Sequence, residues 1–299
     1  MKLPFGLTII LNALLIWPGF LVAEDKHYKA DICVYGGTAS GVMAALAAEK
    51  EGSSVILIEP TRCLGGMTGG GINHLDWGKG ETVGGSTYKI LMEGLKEQKR
   101  AHGGHAKHGI GNKQYRERFK KLVKDQGITV IYDHRVGKVQ VGDETFNKPT
   151  RQQPIAMAEK IPSKNKNNSI QSIILDYAPV DETGCPIPEP KKRNVITVSA
   201  KVFIDCSYEG DILGMSGVRY TWGRESRNHY GESLAGVRPS LWVHDIDPYV
   251  EPGNPESGLI PFIQNRKIGP LGSADALSMG YCFRYEFDTS GQGLSLIHI

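Results

Sequence analysis

Apolar residues crowd the start of the chain from Leu7 to Ala23, interrupted only by Asn12, Pro18 and Gly19, and the sequence turns polar at Glu24-Asp25-Lys26. With Lys2 ahead of the run and the small Ala23 at its end, this pattern predicts a signal peptide over residues 1–23. No twin arginine precedes it, so export by the general secretory route is expected, to the periplasm or the medium. A retained membrane anchor is the alternative. The run is shorter than the roughly 20 residues that cross a bilayer, and Pro18 breaks it.

The next pattern is a different one. Ala30 to Tyr35 is a short apolar stretch that stops at Gly36-Gly37, as a buried strand entering a tight turn would. Ser40 to Lys50 is rich in alanine, which predicts a helix able to lie close on a sheet, ended by Gly52. Ser54 to Ile58 reads as a second buried strand, closed by Glu59-Pro60. Strand, turn, helix and strand within about 30 residues make a crossover unit with two parallel neighbouring strands. Further on, glycine is so dense from Gly65 to Gly85 that a loop against a ligand is expected rather than regular structure. Tyr88 to Arg100 reads as a helix, and Tyr115, Phe119, Leu122 and Val123 recur at helical spacing before Gly127. Ile128 to Tyr132, Ile170 to Tyr177 and Asn194 to Asp205 read as strands. Residues 143–168 are polar and read as a surface excursion, and Lys191-Lys192-Arg193 as a solvated turn.

Composition narrows the classes. At 299 residues there is room for one large or two ordinary domains, and a formal charge of +3 is too small a surplus for a binder of nucleic acid backbones. The 37 glycines imply many close backbone approaches. Five cysteines without a Cys-x-x-Cys pair suggest neither a disulfide framework nor a structural metal site.

Gly36-Gly37-Thr38-Ala39-Ser40-Gly41 lies between the first strand and the alanine-rich helix, where backbone N–H groups and the helix dipole attract a diphosphate. Gly36 permits the turn and Gly41 the approach of helix to strand, while Thr38 takes the place of a middle glycine. Glu59 follows at the end of the second strand, placed to accept from a ribose 2′-hydroxyl and to repel a 2′-phosphate. The arrangement suits an adenine dinucleotide and does not by itself separate FAD from NAD.

The run Asp31 to Glu59, followed by Cys63-Leu64-Gly65-Gly66-Met67-Thr68-Gly69-Gly70-Gly71, resembles the FAD-dependent oxidoreductase family, in which a Gly-Gly-Thr turn is usual. Val202 to Asp211, with Cys206-Ser207 in place of the commoner Ala-Thr, resembles a second block of that family. Gly217 to Glu225 and Tyr230 to Leu234 are similar to a planctomycete-like branch often labelled xanthan lyase-related. The resemblance implies an α/β, Rossmann-like FAD-binding fold of the glutathione reductase type, with an inserted substrate domain. It implies FAD as cofactor, with Gly36, Gly37, Thr38 and Gly41 at its diphosphate and Glu59 at its ribose. Arg62, Gly65, Gly66, Met67 and Thr68 would line the rest, the Val136 backbone would meet adenine, and Ser207 and Asp211 would close the site. Asp211 reads equally as a helix cap. The flavin-binding domain is expected over residues 28–218. Residues 219–299 would be the start of a cap domain, because the resemblance stops near Arg284 and a longer natural protein is expected.

The chemistry-bearing candidates are fewer. His74, Asp76 and Trp77 follow the glycine loop, and His74 is the candidate for catalysis, against an ordinary solvated loop histidine. Arg224 and Glu225 would bind a polar substrate or pair with each other. Cys63 lies beside the flavin loop but lacks a second cysteine for a dithiol relay. His102, His105 and His108 are spaced for a metal on a helix, but the glycines among them argue for a loop, and no metal site is expected. Asn167-Asn168-Ser169 matches a glycosylation pattern. An exported FAD-dependent oxidoreductase acting on a small or carbohydrate-like substrate is the expectation. A non-redox carbohydrate-active or carbohydrate-binding protein on the same fold is the alternative, and an NAD-dependent dehydrogenase the third.

Overall fold

The computed structural model describes residues 26–70, 84–85, 90, 112–147, 169–182, 184–218, 223–238, 247–261, 263, 265–266 and 268–277. The predicted signal peptide, most of the predicted 88–100 helix, His74, Asp76, Trp77, the His102/His105/His108 group and Asn167-Asn168 lie outside them.

Seven strands form one sheet: β1 (Lys26–Tyr35), β2 (Val55–Glu59), β3 (Thr129–Tyr132), β4 (His134–Val141), β5 (Glu144–Asn147), β6 (Ile170–Tyr177) and β7 (Lys192–Asp205), in the order β3-β2-β1-β7-β6-β4-β5. The pairs β1–β2, β2–β3 and β1–β7 are parallel, and β7–β6, β6–β4 and β4–β5 antiparallel. Strand β7 joins the two halves, because its first part pairs with β6 and its last part runs beside β1 to Tyr35↔Asp205.

Two apolar layers follow from the alternation of side chains along each strand. Cys33, Tyr35, Ile56, Ile58 and Ile131 pack with Val136, Val139, Ile173 and Leu175 of the antiparallel strands and with Ile212 and Met215. Val34, Val55 and Leu57 point the other way, onto the helices α1 (Ala39–Lys50) and α3 (Asn112–Asp125), the short α2 (Gly66–Gly70) lying between these two in sequence. Because both faces are covered, β2 is buried at every residue and reads as a continuous apolar run. In α3, Tyr115, Phe119 and Val123 recur every fourth residue and all three are buried.

The structure departs from the sequence expectations in four places. Gly66–Gly70 is a helical turn inside the segment expected to be irregular. Val136 lies within strand β4, which the sequence reading missed altogether, rather than just after a strand. The reason is a bulge between Val136 and Lys138, which spaces the buried Val136 and Val139 by three and breaks the alternation that marks a strand. The polar segment from 143 begins as the edge strand β5, and residues 148–168 lie outside the described set. Strand β7 starts at Lys192, two residues before the predicted boundary.

The described residues between 223 and 277 carry little regular structure. Arg224 and Asp275 exchange backbone hydrogen bonds, Arg227 N–H donates to Gly272, and Val237 N–H to Ser273, so the two ends of the segment close on each other.

Candidate functional site

The site forms where β1, β2 and β7 end side by side at their carboxyl edges, the place where open parallel sheets take ligands. Leaving β1, the chain turns at Gly36 with φ of 92°, a left-handed conformation that side chains resist. A Cβ on Gly36 would lie 2.6 Å from the Ser207 backbone nitrogen, so the first turn touches the loop after β7 directly. A Cβ on Gly41 would run into the Gly36 carbonyl, and one on Gly37 would come within 2.8 Å of Glu59 Oε2.

Thr38 explains why this turn needs no third early glycine. Its φ of −62° and ψ of 174° are ordinary extended values, and it is the N-cap of α1. The hydroxyl accepts from Gly41 N–H at 3.2 Å and donates to the Cys206 carbonyl at 2.8 Å. The side chain is therefore turned inward, tying the first turn to the second motif instead of narrowing the approach to it. No acidic residue occupies the first turn of α1, which leaves the positive end of its dipole for an anion.

Glu59 is buried, and both carboxylate oxygens work on neighbouring backbone. Oε2 accepts from Gly37 N–H at 2.8 Å, while Oε1 accepts from Thr61 N–H at 2.7 Å and Thr61 Oγ1 at 2.6 Å. Burial raises its pKa above the ordinary 4.5, the three donors oppose this, and the negative charge of Glu209 adds to the rise. Glu59 thus braces the turn, and Oε2, with one donor so far, keeps a lone pair for another.

A second glycine turn lies beside the first. Gly65 N–H donates to the Gly37 carbonyl at 2.7 Å, and Thr38 and Gly65 form an isolated parallel bridge. Met67 N–H donates to Tyr208 Oη at 2.9 Å, so the phenol after Ser207 lies over Gly66. Thr68 is half-buried in the same short helix. Arg62 is mostly exposed and bonds Asp133 through Nε at 2.9 Å and 3.0 Å to its two oxygens.

The loop after β7 is organised from within, and its organiser is Asp205, which sequence reasoning did not single out. Asp205 Oδ1 accepts from Ser207 N–H at 3.0 Å and Ser207 Oγ at 2.6 Å, and Oδ2 accepts from Leu213 N–H at 2.9 Å. Ser207 Oγ in turn accepts from Gly210 and Asp211 N–H, at 3.0 Å and 3.3 Å. The cap position of the short helix α4 (Asp211–Met215) is Gly210, in a left-handed conformation without a side-chain bond. Asp211 is therefore the first helical residue and not the cap that its sequence position also suggested. Its Oδ2 accepts from the buried Tyr35 hydroxyl.

The remaining candidates separate from this cluster or settle differently. Val136 is buried, and its N–H donates to Tyr35 Oη. Arg224 pairs with Asp275 through its Nε at 2.9 Å and through Nη2, and not with Glu225. Arg116 Nη1 donates to Cys63 Sγ at 3.4 Å, and among the described residues Cys63 has no disulfide partner. Burial pushes the Cys33 thiol up to about 12 and raises that of Cys206, so both are protonated at neutral pH. Among the described residues no group of three metal-ligating side chains occurs, and no helix is long and apolar enough to cross a membrane.

The fit to a dinucleotide is direct: glycines at the points where a Cβ would fill the space, an acid-free helix start, and a carboxylate closing the adjacent strand. No curated protein sequence matches the chain significantly. Among solved structures it resembles a geranylgeranyl bacteriochlorophyll reductase-like protein of Thermoplasma acidophilum, at 14% identity over 64% of this chain and 43% of that one, with a TM-score of 0.36. A 3-ketosteroid-Δ4-(5α)-dehydrogenase of Rhodococcus jostii RHA1 is similar at 12% identity over 62% and 47%, with a TM-score of 0.32. A myxobacterial FAD-dependent chondrochloren halogenase is similar at 13% over 60% and 37%, with a TM-score of 0.35. The chain spans less than half the length of these three proteins. Residues 31–160 and 187–292 match the family model described as FAD dependent oxidoreductase, and the chain belongs to the FAD-dependent oxidoreductase family.

Proposed function

We propose that this chain holds FAD as part of an exported oxidoreductase that oxidises a small or carbohydrate-like organic molecule. The observation that carries the reading is the convergence of the Gly36–Gly41 turn, Glu59 and the Asp205–Asp211 loop at one edge of the parallel strands. In this reading the backbone of Gly36 to Ser40 and the start of α1 face the diphosphate, and the open lone pair of Glu59 takes a ribose hydroxyl. Arg62 and Gly65 to Thr68 border the rest, and Asp211 presents its carboxylate from the start of α4.

When bound, the flavin supplies a two-electron acceptor, so that hydride transfer from substrate needs no obligatory protein nucleophile. The chain's own part is to fix and shield it. Thr38 locks the two loops together through Cys206, and Asp205 keeps the second loop in one shape, so the binding edge is pre-organised. An open cleft of about 630 Å³ in the 223–238 segment is walled by Arg224, Glu225, Glu232 and Arg238 beside Leu234 and Ala235, a mixed polar and apolar lining that suits a small molecule carrying hydroxyls on a carbon frame. The leading apolar run supports a periplasmic or secreted location, and the near-neutral charge supports a small-molecule substrate rather than nucleic acid.

The test is a visible spectrum of the full-length protein, followed by anaerobic addition of candidate sugars and small alcohols. A flavin spectrum that bleaches with one of them is expected. A yellow protein that no substrate bleaches, alongside saccharide binding, would favour the non-redox alternative. A colourless protein that takes up NAD and not FAD would replace the proposal with a nicotinamide enzyme.

A further inference from the structure

One buried hydroxyl joins two parts of the site that are far apart in sequence. Tyr35 ends β1 immediately before Gly36 and has no exposed surface. Its Oη accepts from Val136 N–H at 3.2 Å and donates to Asp211 Oδ2 at 3.3 Å. Val136 lies at the bulge of β4, where ladder pairing is interrupted, and Asp211 opens α4.

An apolar ring would fill this position in the core equally well, so the hydroxyl needs its own explanation. A buried O–H is unfavourable unless bonded, and here it is bonded on both sides. Burial, and then the charge of Asp211, push the phenol well above its ordinary value of 10.0. Its proton therefore stays in place at any physiological pH, and Tyr35 remains a donor toward Asp211.

We infer that Tyr35 is a positioning residue for the cofactor. Its hydroxyl holds the Asp211 carboxylate at the binding edge and anchors it to the β4 bulge, so the loop after β7 is set before the ligand arrives. This rests on the reading of the site as an FAD site. A fixed carboxylate loses less freedom on binding than a swinging one, and the gain appears as affinity.

The experiment compares FAD dissociation constants of the full-length wild type, Tyr35→Phe, Asp211→Ala and the double variant, with thermal midpoints of the four apoproteins. Tyr35→Phe is expected to weaken FAD about tenfold in the wild-type background but less than about twofold in the Asp211→Ala background, because the tyrosine acts through Asp211. Losses that simply multiply, or a Tyr35→Phe variant with wild-type affinity, overturn this inference and leave the FAD site standing. A wild type that refuses FAD overturns both. If Tyr35→Phe does not fold, amide exchange at Val136 decides. It should speed up about tenfold in Asp211→Ala if the hydroxyl links the two, and an unchanged rate refutes the link.

Discussion

The two glycine turns at the site look alike in sequence but are confined by different things. Around Gly36 and Gly41 the space is closed mostly by backbone: the Ser207 nitrogen, the Cys206 carbonyl carbon and the Gly36 carbonyl oxygen. Around Gly65 and Gly66 it is closed by side chains, the Phe119 ring and the Tyr208 hydroxyl. Backbone cannot move aside without moving β7 or α1, whereas Tyr208 is 56% exposed and free to swing outward. The first turn is therefore a rigid fitting between strands, whereas the second is held by the buried Phe119 ring at Gly65 and adjustable at Gly66.

That contrast is easiest to break at its strong end. Gly36→Ala combines a φ of 92° with a backbone overlap, and Gly41→Ala drives a Cβ into the Gly36 carbonyl. Each is expected to destabilise the protein by about 3 kcal/mol and abolish FAD binding, read by urea melts and flavin content. Either variant folding and binding normally would show that the first turn is as adjustable as the second.

Glu59→Gln comes next. A glutamine has one acceptor oxygen for the Gly37 and Thr61 donors and turns an NH₂ toward the other, at a cost of about 1–3 kcal/mol. The pH dependence sharpens this further. The folded pKa of Glu59 lies above the ordinary 4.5, so the folded state holds its proton more tightly than the unfolded chain does. Its contribution to stability is fully present below 4.5 and declines as pH rises through the raised folded value. Melting curves across that range should show the decline in wild type and a flatter profile in Glu59→Gln.

The adjustable turn predicts smaller effects. Gly66→Ala meets a φ of 53° and a movable phenol, so about 1–2 kcal/mol is expected, and adding Tyr208→Ala should recover only the steric part. Tyr208→Phe removes an exposed bond to Met67 N–H and should cost about 0.5–1 kcal/mol, measured in the same melts. A Gly66→Ala loss as large as that of Gly36→Ala would erase the distinction between the turns.

Much of the parallel half was legible because local signals agreed there. The Ala30 to Tyr35 run, the glycine turn, the alanine-rich helix and the Val55–Glu59 strand each carry their own periodicity or breaker, and the structure places them as expected. The antiparallel half was legible only in β6 and β7. A bulge at Gly137, where a Cβ would lie 2.7 Å from the Asp176 carboxylate, hid β4, and Glu144–Asn147, unlike the equally short β3, has no apolar run to announce β5. Arg224 and Glu225 were read as binding a polar substrate or pairing with each other, yet the partner of Arg224 is Asp275, 51 residues away.

The amino-acid order by itself determined the crossover unit, the diphosphate-type turn and the carboxylate that closes it, because these depend on contacts within about 30 residues of chain. Only the tertiary structure decided that Thr38 faces inward to Cys206 and that Tyr35 reaches both Val136 and Asp211. Those bonds join residues brought together by the pairing of β1 with β7 and by the antiparallel strands folding over one face. No local pattern records which groups such long-range pairing will bring into hydrogen-bonding distance.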